Sequence, residues 1–279
     1  MIPTKQAHLH TAALSHVGMV RSKNEDNFAV SAFKLSETDS TPAVFAILCD
    51  GIGGHKAGEV ASEMAVNRFS AKVARSDGSH PTQILNEAFG ETNARIVKAA
   101  NENPEQKGMG ATLACTWVIG RRLYTATAGD SRIYLVRGGK IRQLNIDHTW
   151  LQEAVEKGSV DPAKLKDAPN LHVIRRHLGS EKVDEPDFRM RLREGESNEQ
   201  MTANQGTPLL PGDVLLLCSD GLTDYLKSSE ILGVMQREKN LNASVKALVT
   251  AANQRGGQDN ITVVMLMMPW DADKQGWFK

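Results

Sequence analysis

Runs of β-forming residues in this chain break at a carboxylate. Ala43-Val44-Phe45-Ala46-Ile47-Leu48-Cys49 stops at Asp50-Gly51, and Val214-Leu215-Leu216-Leu217-Cys218 stops at Ser219-Asp220-Gly221. In Asp259-Asn260-Ile261-Thr262-Val263-Val264 the carboxylate comes ahead of the strand, and Arg21-Ser22-Lys23-Asn24-Glu25-Asp26 precedes another short apolar run. A single Asp-Gly is an ordinary turn. Several apolar strands that each deliver a carboxylate to one end can assemble a site for a hard cation, and oxygen-only ligands favour Mg²⁺ or Mn²⁺ over zinc.

The rest of the chain supplies layers for such strands. Within residues 58–74, Val60, Met64, Ala65, Phe69 and Val73 recur at helical spacing, and Ile84, Leu85, Ala88, Phe89, Thr92 and Ile96 repeat the pattern. Two consecutive amphipathic helices are therefore predicted after the first acidic strand. Over residues 111–144 the period becomes that of strands, broken at Gly120-Arg121, Gly129-Asp130 and Gly138-Gly139, which reads as an antiparallel meander. Leu151, Ala154 and Val155 predict a short helix, and Val245, Leu248, Val249 and Ala252 a last long one. Residues 193–206 are polar and acidic and read as an exposed loop, with a substrate contact as the alternative. Strands in runs with helices in pairs give an α+β layered class. No repeat or linker marks a second domain, so one domain is expected over 1–270, with 271–279 as a tail in which Trp277 and Phe278 could dock back.

Composition excludes several functions. Among 279 residues, 33 Lys+Arg balance 33 Asp+Glu, so no net field recruits nucleic acid or a membrane surface. A chain of this length buries a core large enough to fold without a metal or disulfide staple. Cys49, Cys115 and Cys218 form an odd set on predicted buried strands, which suits a reducing compartment. Cys49 neighbours Asp50 and points to the opposite face of its strand, so it reads as a small buried hydrophobe. Residues 1–12 lack a secretory pattern, and the apolar runs 43–49 and 261–268 fall short of the roughly 20 residues of a membrane span. A cytoplasmic location is expected.

Seven segments then follow one another along most of the chain: Arg21…Glu25-Asp26, Asp50-Gly51-Ile52-Gly53-Gly54-His55, Gly110-Ala111-Thr112, Gly129-Asp130-Ser131-Arg132, Asp147-His148-Thr149, Ser219-Asp220-Gly221-Leu222-Thr223-Asp224 and Asp259-Asn260. In that order they resemble the metal-dependent protein phosphatases of the PP2C (PPM) family, and the Asp-Gly-x-Gly-Gly-His form is similar to its bacterial branch. The resemblance implies a four-layer α-β-β-α sandwich, two packed antiparallel sheets flanked by helices, with a variable flap at about 150–180 beside the active site. It implies two Mn²⁺ or Mg²⁺ ions, bridged by Asp50, with the Gly51 carbonyl on one and Asp220 and Asp259 on the other, and direct attack of a hydroxide held between them on the phosphomonoester. Asp130 with Asp220 would hold a weaker third ion. Glu25 and Asp26 would fix waters around the metals.

Arg21 is the candidate phosphate clamp, because a guanidinium fork grips two phosphoryl oxygens and keeps its charge. Its removal is expected to weaken substrate binding and leave metal affinity untouched. His55 is the candidate proton donor to the leaving alkoxide. The eukaryotic branch, however, has its acid histidine directly after Asp-Gly, where this chain has Ile52, so metal-held water is the alternative. Asn260 is expected to orient Asp259 or cap its turn, His148 to brace the fold, and Arg175 and Arg176, ahead of His177-Leu178-Gly179, to support the flap.

The implied function is a Mg²⁺/Mn²⁺-dependent phosphatase acting on phosphoserine and phosphothreonine proteins. Its implied partners are a bacterial serine/threonine kinase and that kinase's substrates, with no nucleic acid and no membrane, and the chain is expected to be a monomer. The competing reading is a catalytically inactive phosphoprotein-binding module on the same fold. Loss of metal carboxylates would mark that module, and Asp50, Asp220, Asp259 and Arg21 are all present. A cysteinyl-phosphate mechanism is not expected. The chain has no His-Glu-x-x-His, Walker loop or Asp-x-Asp-x-Asp-Gly calcium loop.

Overall fold

The computed structural model describes residues 1–53, 56–158, 173–182 and 185–270. His55, the middle of the expected flap, and the tail with Trp277 and Phe278 lie outside the described residues.

The chain begins with β1 (Ile2–Pro3), β2 (His10–His16), β3 (Asn27–Lys34), β4 (Pro42–Cys49) and the short β5 (Gly51–Ile52). Helices α1 (Lys56–Arg75) and α2 (Pro81–Glu102) follow. In α1 the fully buried Ala61, Ala65, Phe69 and Val73 stand four apart, which makes one stripe facing the sheet. Pro81 occupies the first turn of α2, where its missing N–H loses no intrahelical bond. Next come β6 (Gly110–Ala111), β7 (Leu113–Ile119), β8 (Arg122–Ala128), β9 (Arg132–Arg137) and β10 (Lys140–Gln143). The remainder is α3 (Trp150–Glu156), α4 (Asn198–Ala203), β11 (Thr207–Pro208), β12 (Val214–Cys218), α5 (Asp220–Thr223), α6 (Ser228–Arg237), α7 (Leu241–Gln254) and β13 (Ile261–Met267).

Two large antiparallel sheets result, one in the order β1-β3-β4-β7-β8-β11 and the other in the order β10-β9-β12-β13-β2, with β5 and β6 forming a separate two-stranded pair. The period of two along each central strand sorts its side chains between cores. Phe45 and Ile47 of β4 face α1 and α2, whereas Val44 and Leu48 meet Leu215, Leu217 and Val264 between the sheets. Val214, Leu216 and Cys218 of β12 face α6 and α7. The expected four layers are present. Cys49, Cys115 and Cys218 are buried, unpaired and packed as hydrophobes.

The meander over 111–144 is corrected by the structure. β7 pairs with β8 and β9 pairs with β10, but the two hairpins belong to different sheets. The chain changes sheet at Gly129, whose φ of +105° is open to glycine and strained for other residues. Thr112 presses on the same corner, since a Cβ on Gly129 would lie 2.7 Å from Thr112 Cγ2. This crossing carries Asp130 to the end of the sandwich where β4 and β12 finish.

Residues 193–206 are also corrected, from an exposed loop to a capped helix docked on a sheet edge. Ser197 caps α4, accepting from Gln200 N–H at 3.3 Å, while its own N–H donates to Gln200 Oε1 at 2.8 Å. Met201 is buried. Gln205 acts as a surrogate strand for β8: its Oε1 accepts from Thr125 N–H at 2.9 Å and its Nε2 donates to Thr125 O and Phe188 O at 3.0 and 2.8 Å.

Candidate functional site

The carboxylate-bearing strand ends meet at one end of the sandwich. Asp50 leaves β4 clamped by the backbone and side chain of Thr112: its N–H donates to Thr112 Oγ1 and its carbonyl accepts from Thr112 N–H, both at 2.8 Å. Thr112 Oγ1 in turn lies 2.7 Å from Ser131 Oγ, which ties Asp50 to the crossing that holds Asp130. Two glycines allow close stacking here. A Cβ on Gly51 would overlap the Gly58 backbone in the first turn of α1, and a Cβ on Gly58 would overlap Glu25 Oε2. Gly221, next to Asp220, likewise sits against Asn260 O with no room for a side chain.

Asn260 organises the loop before β3. Buried at 4% exposure, it donates through Nδ2 to Val17 O and Lys23 O at 2.9 and 2.8 Å and accepts through Oδ1 from Glu25 N–H at 2.7 Å. The same loop is held by Met19 N–H donating to Gly257 O at 2.7 Å. Asp26 accepts from Ser219 Oγ at 2.8 Å, and Ser219 Oγ accepts from Thr262 N–H at 3.0 Å. Arg21 projects from this loop onto Asp259, donating through Nε to Oδ1 at 3.0 Å and through Nη2 to Oδ2 at 2.7 Å.

Negative charge in this region is undercompensated. Burial, followed by the like charges of Asp26, Asp220, Asp130 and Asp259, pushes the Asp50 carboxyl well above the usual range. Burial and then Asp130, Asp224, Asp259 and Asp26 do the same to Asp220. Asp26 is pushed up to about 6, mainly by burial and against hydrogen bonds from Thr262 and Ser219. Asp130 also rises to about 6, through burial and the neighbouring Asp147. Asp26 Oδ1, Asp130 Oδ1 and Asp220 Oδ1 are buried without hydrogen-bond partners among the described residues. Buried acceptors of this kind call for a cation.

The donor set fits hard divalent ions, which accept carboxylate, carbonyl and water oxygens together. Among the described residues no three His, Cys, Asp or Glu side chains lie close enough to enclose one ion by themselves. Backbone carbonyl and water would have to complete the coordination, and the Gly51 carbonyl is at hand. Two clefts open on this end. A cleft of about 220 Å³ is lined by Glu25, Asp50, Gly51, Asp220, Asp259 and Arg21. A wider one of about 860 Å³ contains Asp130, Arg132, Asp147, Asp224 and Tyr225 and shares Arg21, Asp220 and Asp259 with the first.

Residues 12–155 match the model of the family described as Protein phosphatase 2C. The chain belongs to the protein phosphatase 2C family. It is 32% identical over 263 residues to the serine/threonine phosphatase stp of Listeria welshimeri, covering 92% of this chain and 95% of that protein. It is 33% identical over 269 residues to protein phosphatase PhpP of Streptococcus pneumoniae, covering 93% and 98%. The solved Mycobacterium tuberculosis serine/threonine phosphatase PstP/Ppp superposes with a TM-score of 0.77 at 32% identity, over 94% of this chain and 99% of that one. The catalytic domain of PstP, solved in complex with two manganese ions, superposes with a TM-score of 0.74 at 32% identity, over 93% and 97%.

Of the residues singled out in the sequence, Asp50, Gly51, Asp220, Asp259, Asp130, Glu25, Asp26 and Arg21 converge. Arg21 does so on a carboxylate expected to hold metal. His148 braces the crossing: its Nδ1 accepts from Gly129 N–H at 3.0 Å, and Nε2 lies 2.9 Å from Asp187 Oδ2. Burial opposes the Asp187 charge, but His148 and Arg189 outweigh it and hold this carboxyl well below the usual range. Leu178 forms a bridge with Ala111, and Gly179 stands against Met109 O, so the His177-Leu178-Gly179 element anchors one end of the flap region.

Gly58, Ser219 and Thr112 belong to the site's framework but carry no sequence signal for it beyond their place inside or beside the motifs. Cys115 and Arg121 have Cys-x5-Arg spacing, but they form no phosphate loop. Cys115 is buried in mid-strand with its thiol pushed up to about 12 by burial, and Arg121 Nε donates to Leu209 O at 2.9 Å.

Proposed function

We propose that this chain is a serine/threonine phosphoprotein phosphatase that works with two Mn²⁺ or Mg²⁺ ions and a weaker third, and that it reverses the work of a serine/threonine kinase. The observation that carries the reading is the convergence of Asp50, Asp220 and Asp259, from beside the ends of three different strands, on one cleft with Arg21 at its rim. Divalent ions bound there supply Lewis acidity toward the phosphoryl group and toward the attacking water. Asp50, shared between two ions, would hold one with the Gly51 carbonyl, Asp220 and Asp259 would hold the other with water completing its shell, and Asp130 with Asp220 the third. Kinship with bacterial serine/threonine phosphatases, and the two manganese ions of the PstP catalytic domain, support this assignment.

The chain's own residues then bind and orient. Arg21 offers a two-pronged, permanently charged grip for phosphoryl oxygens. Glu25 and Asp26, held by Asn260 and Ser219, would accept hydrogen bonds from water around the ions. Thr112 fixes the backbone of Asp50 on both sides, so the carboxylate is preorganised before substrate arrives. His55, outside the described residues, remains the candidate proton donor to the leaving alkoxide.

The test is hydrolysis of an aryl phosphate and of phosphothreonine and phosphotyrosine peptides, with EDTA and after adding back Mn²⁺ or Mg²⁺. Loss of phosphothreonine hydrolysis in EDTA and its return with either ion is the expected result. Full turnover in chelator would refute the metal assignment, and no turnover with any ion would favour the binding-only module.

A further inference from the structure

We propose that Arg21 and a divalent cation compete for the Asp259 carboxylate, so that a cation arriving there releases the guanidinium to the phosphate and the two ligands bind with positive coupling. The inference rests on the metal-dependent reading above. Its basis is that both Asp259 oxygens are already engaged. Arg21 Nε takes Oδ1 at 3.0 Å, Nη2 takes Oδ2 at 2.7 Å, and Oδ1 also accepts from Asn260 N–H at 2.8 Å.

A Mg²⁺-sized ion needs its oxygen at about 2.0–2.1 Å and repels a guanidinium on the same carboxylate. The guanidinium cannot relieve that repulsion by losing its proton. Oδ1 already accepts two hydrogen bonds and Oδ2 keeps one acceptor site, so an ion bound there weakens the hold of the guanidinium.

Arg21 is built to be the one that leaves. Its side chain is 57% exposed and that of Asp259 36% exposed, so departure strands no buried charge. The loop beneath is pinned by Asn260 and by Met19 on Gly257 O, so the side chain can swing while the backbone stays. Arg21 and Asp259 line both the 220 Å³ cleft and the 860 Å³ cleft, and a guanidinium released from Asp259 therefore stays within the site. On this proposal removing Arg21 changes metal affinity, in contrast to the expectation drawn from the sequence. By linkage, whatever factor the cation contributes to phosphate binding, phosphate returns to the cation.

The test reads Mn²⁺ affinity by calorimetry on the full chain, without substrate. Arg21→Ala should bind Mn²⁺ about two- to fivefold more tightly than wild type, the range for a pair this exposed. Arg21→Lys should keep part of that gain, because it retains the charge but loses the fork. In an Asp259→Asn background Arg21→Ala should change nothing. Inorganic phosphate should tighten Mn²⁺ binding more in wild type than in Arg21→Ala.

Unchanged or weaker Mn²⁺ binding in Arg21→Ala would overturn the proposal. So would an Arg21→Lys variant indistinguishable from wild type, or an equal gain in the Asp259→Asn background, since either would mean that net charge alone is responsible. Those outcomes would leave Mn²⁺ binding and metal-dependent hydrolysis by the wild-type chain, and so the reading above, standing. A wild-type chain that takes up no Mn²⁺ would remove the metal-dependent reading and this proposal together.

Discussion

Asn260→Ala isolates the buried amide that holds the Arg21–Glu25 loop. The side chain makes three hydrogen bonds, to Val17 O, Lys23 O and Glu25 N–H, at 2.9, 2.8 and 2.7 Å. Each is worth about 1 kcal/mol net, and more where the abandoned group stays dry. All three are part-buried, so water will recover some of the loss, and the expected total is about 2–4 kcal/mol. In a domain of this size that lowers Tm by roughly 5–15 °C. Because Arg21 and Glu25 ride on the freed loop, kcat/KM for an aryl phosphate should also fall, by about 10- to 100-fold. Asn260→Asp should not rescue either loss, since it replaces the amide NH2 and its two N–H donors with one oxygen facing two carbonyls. Thermal denaturation and steady-state kinetics on the same preparations check the result. A Tm within a degree of wild type with kcat/KM within twofold would refute the assignment of Asn260 as the loop's anchor.

Three further outcomes are expected. Asp26 and Asp130 have folded values raised to about 6, and Asp50 and Asp220 are raised well above the usual carboxylate range, so burial and mutual repulsion favour the protonated form of these groups in the folded chain. The cost is absent below the unfolded value near 4 and grows as pH rises through about 6, a displacement worth roughly 3 kcal/mol for a carboxyl such as Asp26. Protein in EDTA should therefore melt higher at pH 6 than at pH 8, and Mn²⁺ should narrow the gap; a gap of opposite sign would contradict the charge argument. Asp220→Asn should lower kcat by several orders of magnitude while raising Tm in EDTA, because it removes one of the mutually repelling carboxylates; circular dichroism and turnover measured together test both halves. Gln205→Ala should cost about 2–3 kcal/mol in denaturant unfolding, leaving kcat and KM within twofold, because its bonds cap the edge of β8 away from both clefts.

Much of the fold was legible because local periods and burial agree. Five apolar residues in β12 and seven in β4, each run ending at a turn, read as buried strands, and Val60, Met64, Ala65, Phe69 and Val73 at helical spacing read as a helix face, of which Ala65, Phe69 and Val73 are fully buried. The candidate ligands were legible for a related reason: a carboxylate at the end of a buried strand has few structural uses, and Asp50, Asp220 and Asp259 all occur there. Two errors have equally plain causes. A hairpin signal says that neighbouring strands reverse, not that they share a sheet, so the crossing at Gly129 was invisible. Residues 193–206 look polar because α4 presents its charged face outward, while the capping pair Ser197 and Gln200 was the available sign of a helix.

The sequence by itself determined the layers, the order of the motifs and the residue types able to hold hard cations, since these depend on local pattern and on the chemistry of each side chain. Only the tertiary structure decided which groups face one another. The pairing of Arg21 with Asp259 across 238 positions, the Asn260 anchor on the Val17–Glu25 loop and the stack of Gly51, Gly58 and Glu25 are set by how strands from two sheets end at one edge. No local propensity encodes such contacts, because they arise from packing distant segments at close range, where a few tenths of an ångström separate a hydrogen bond from a clash.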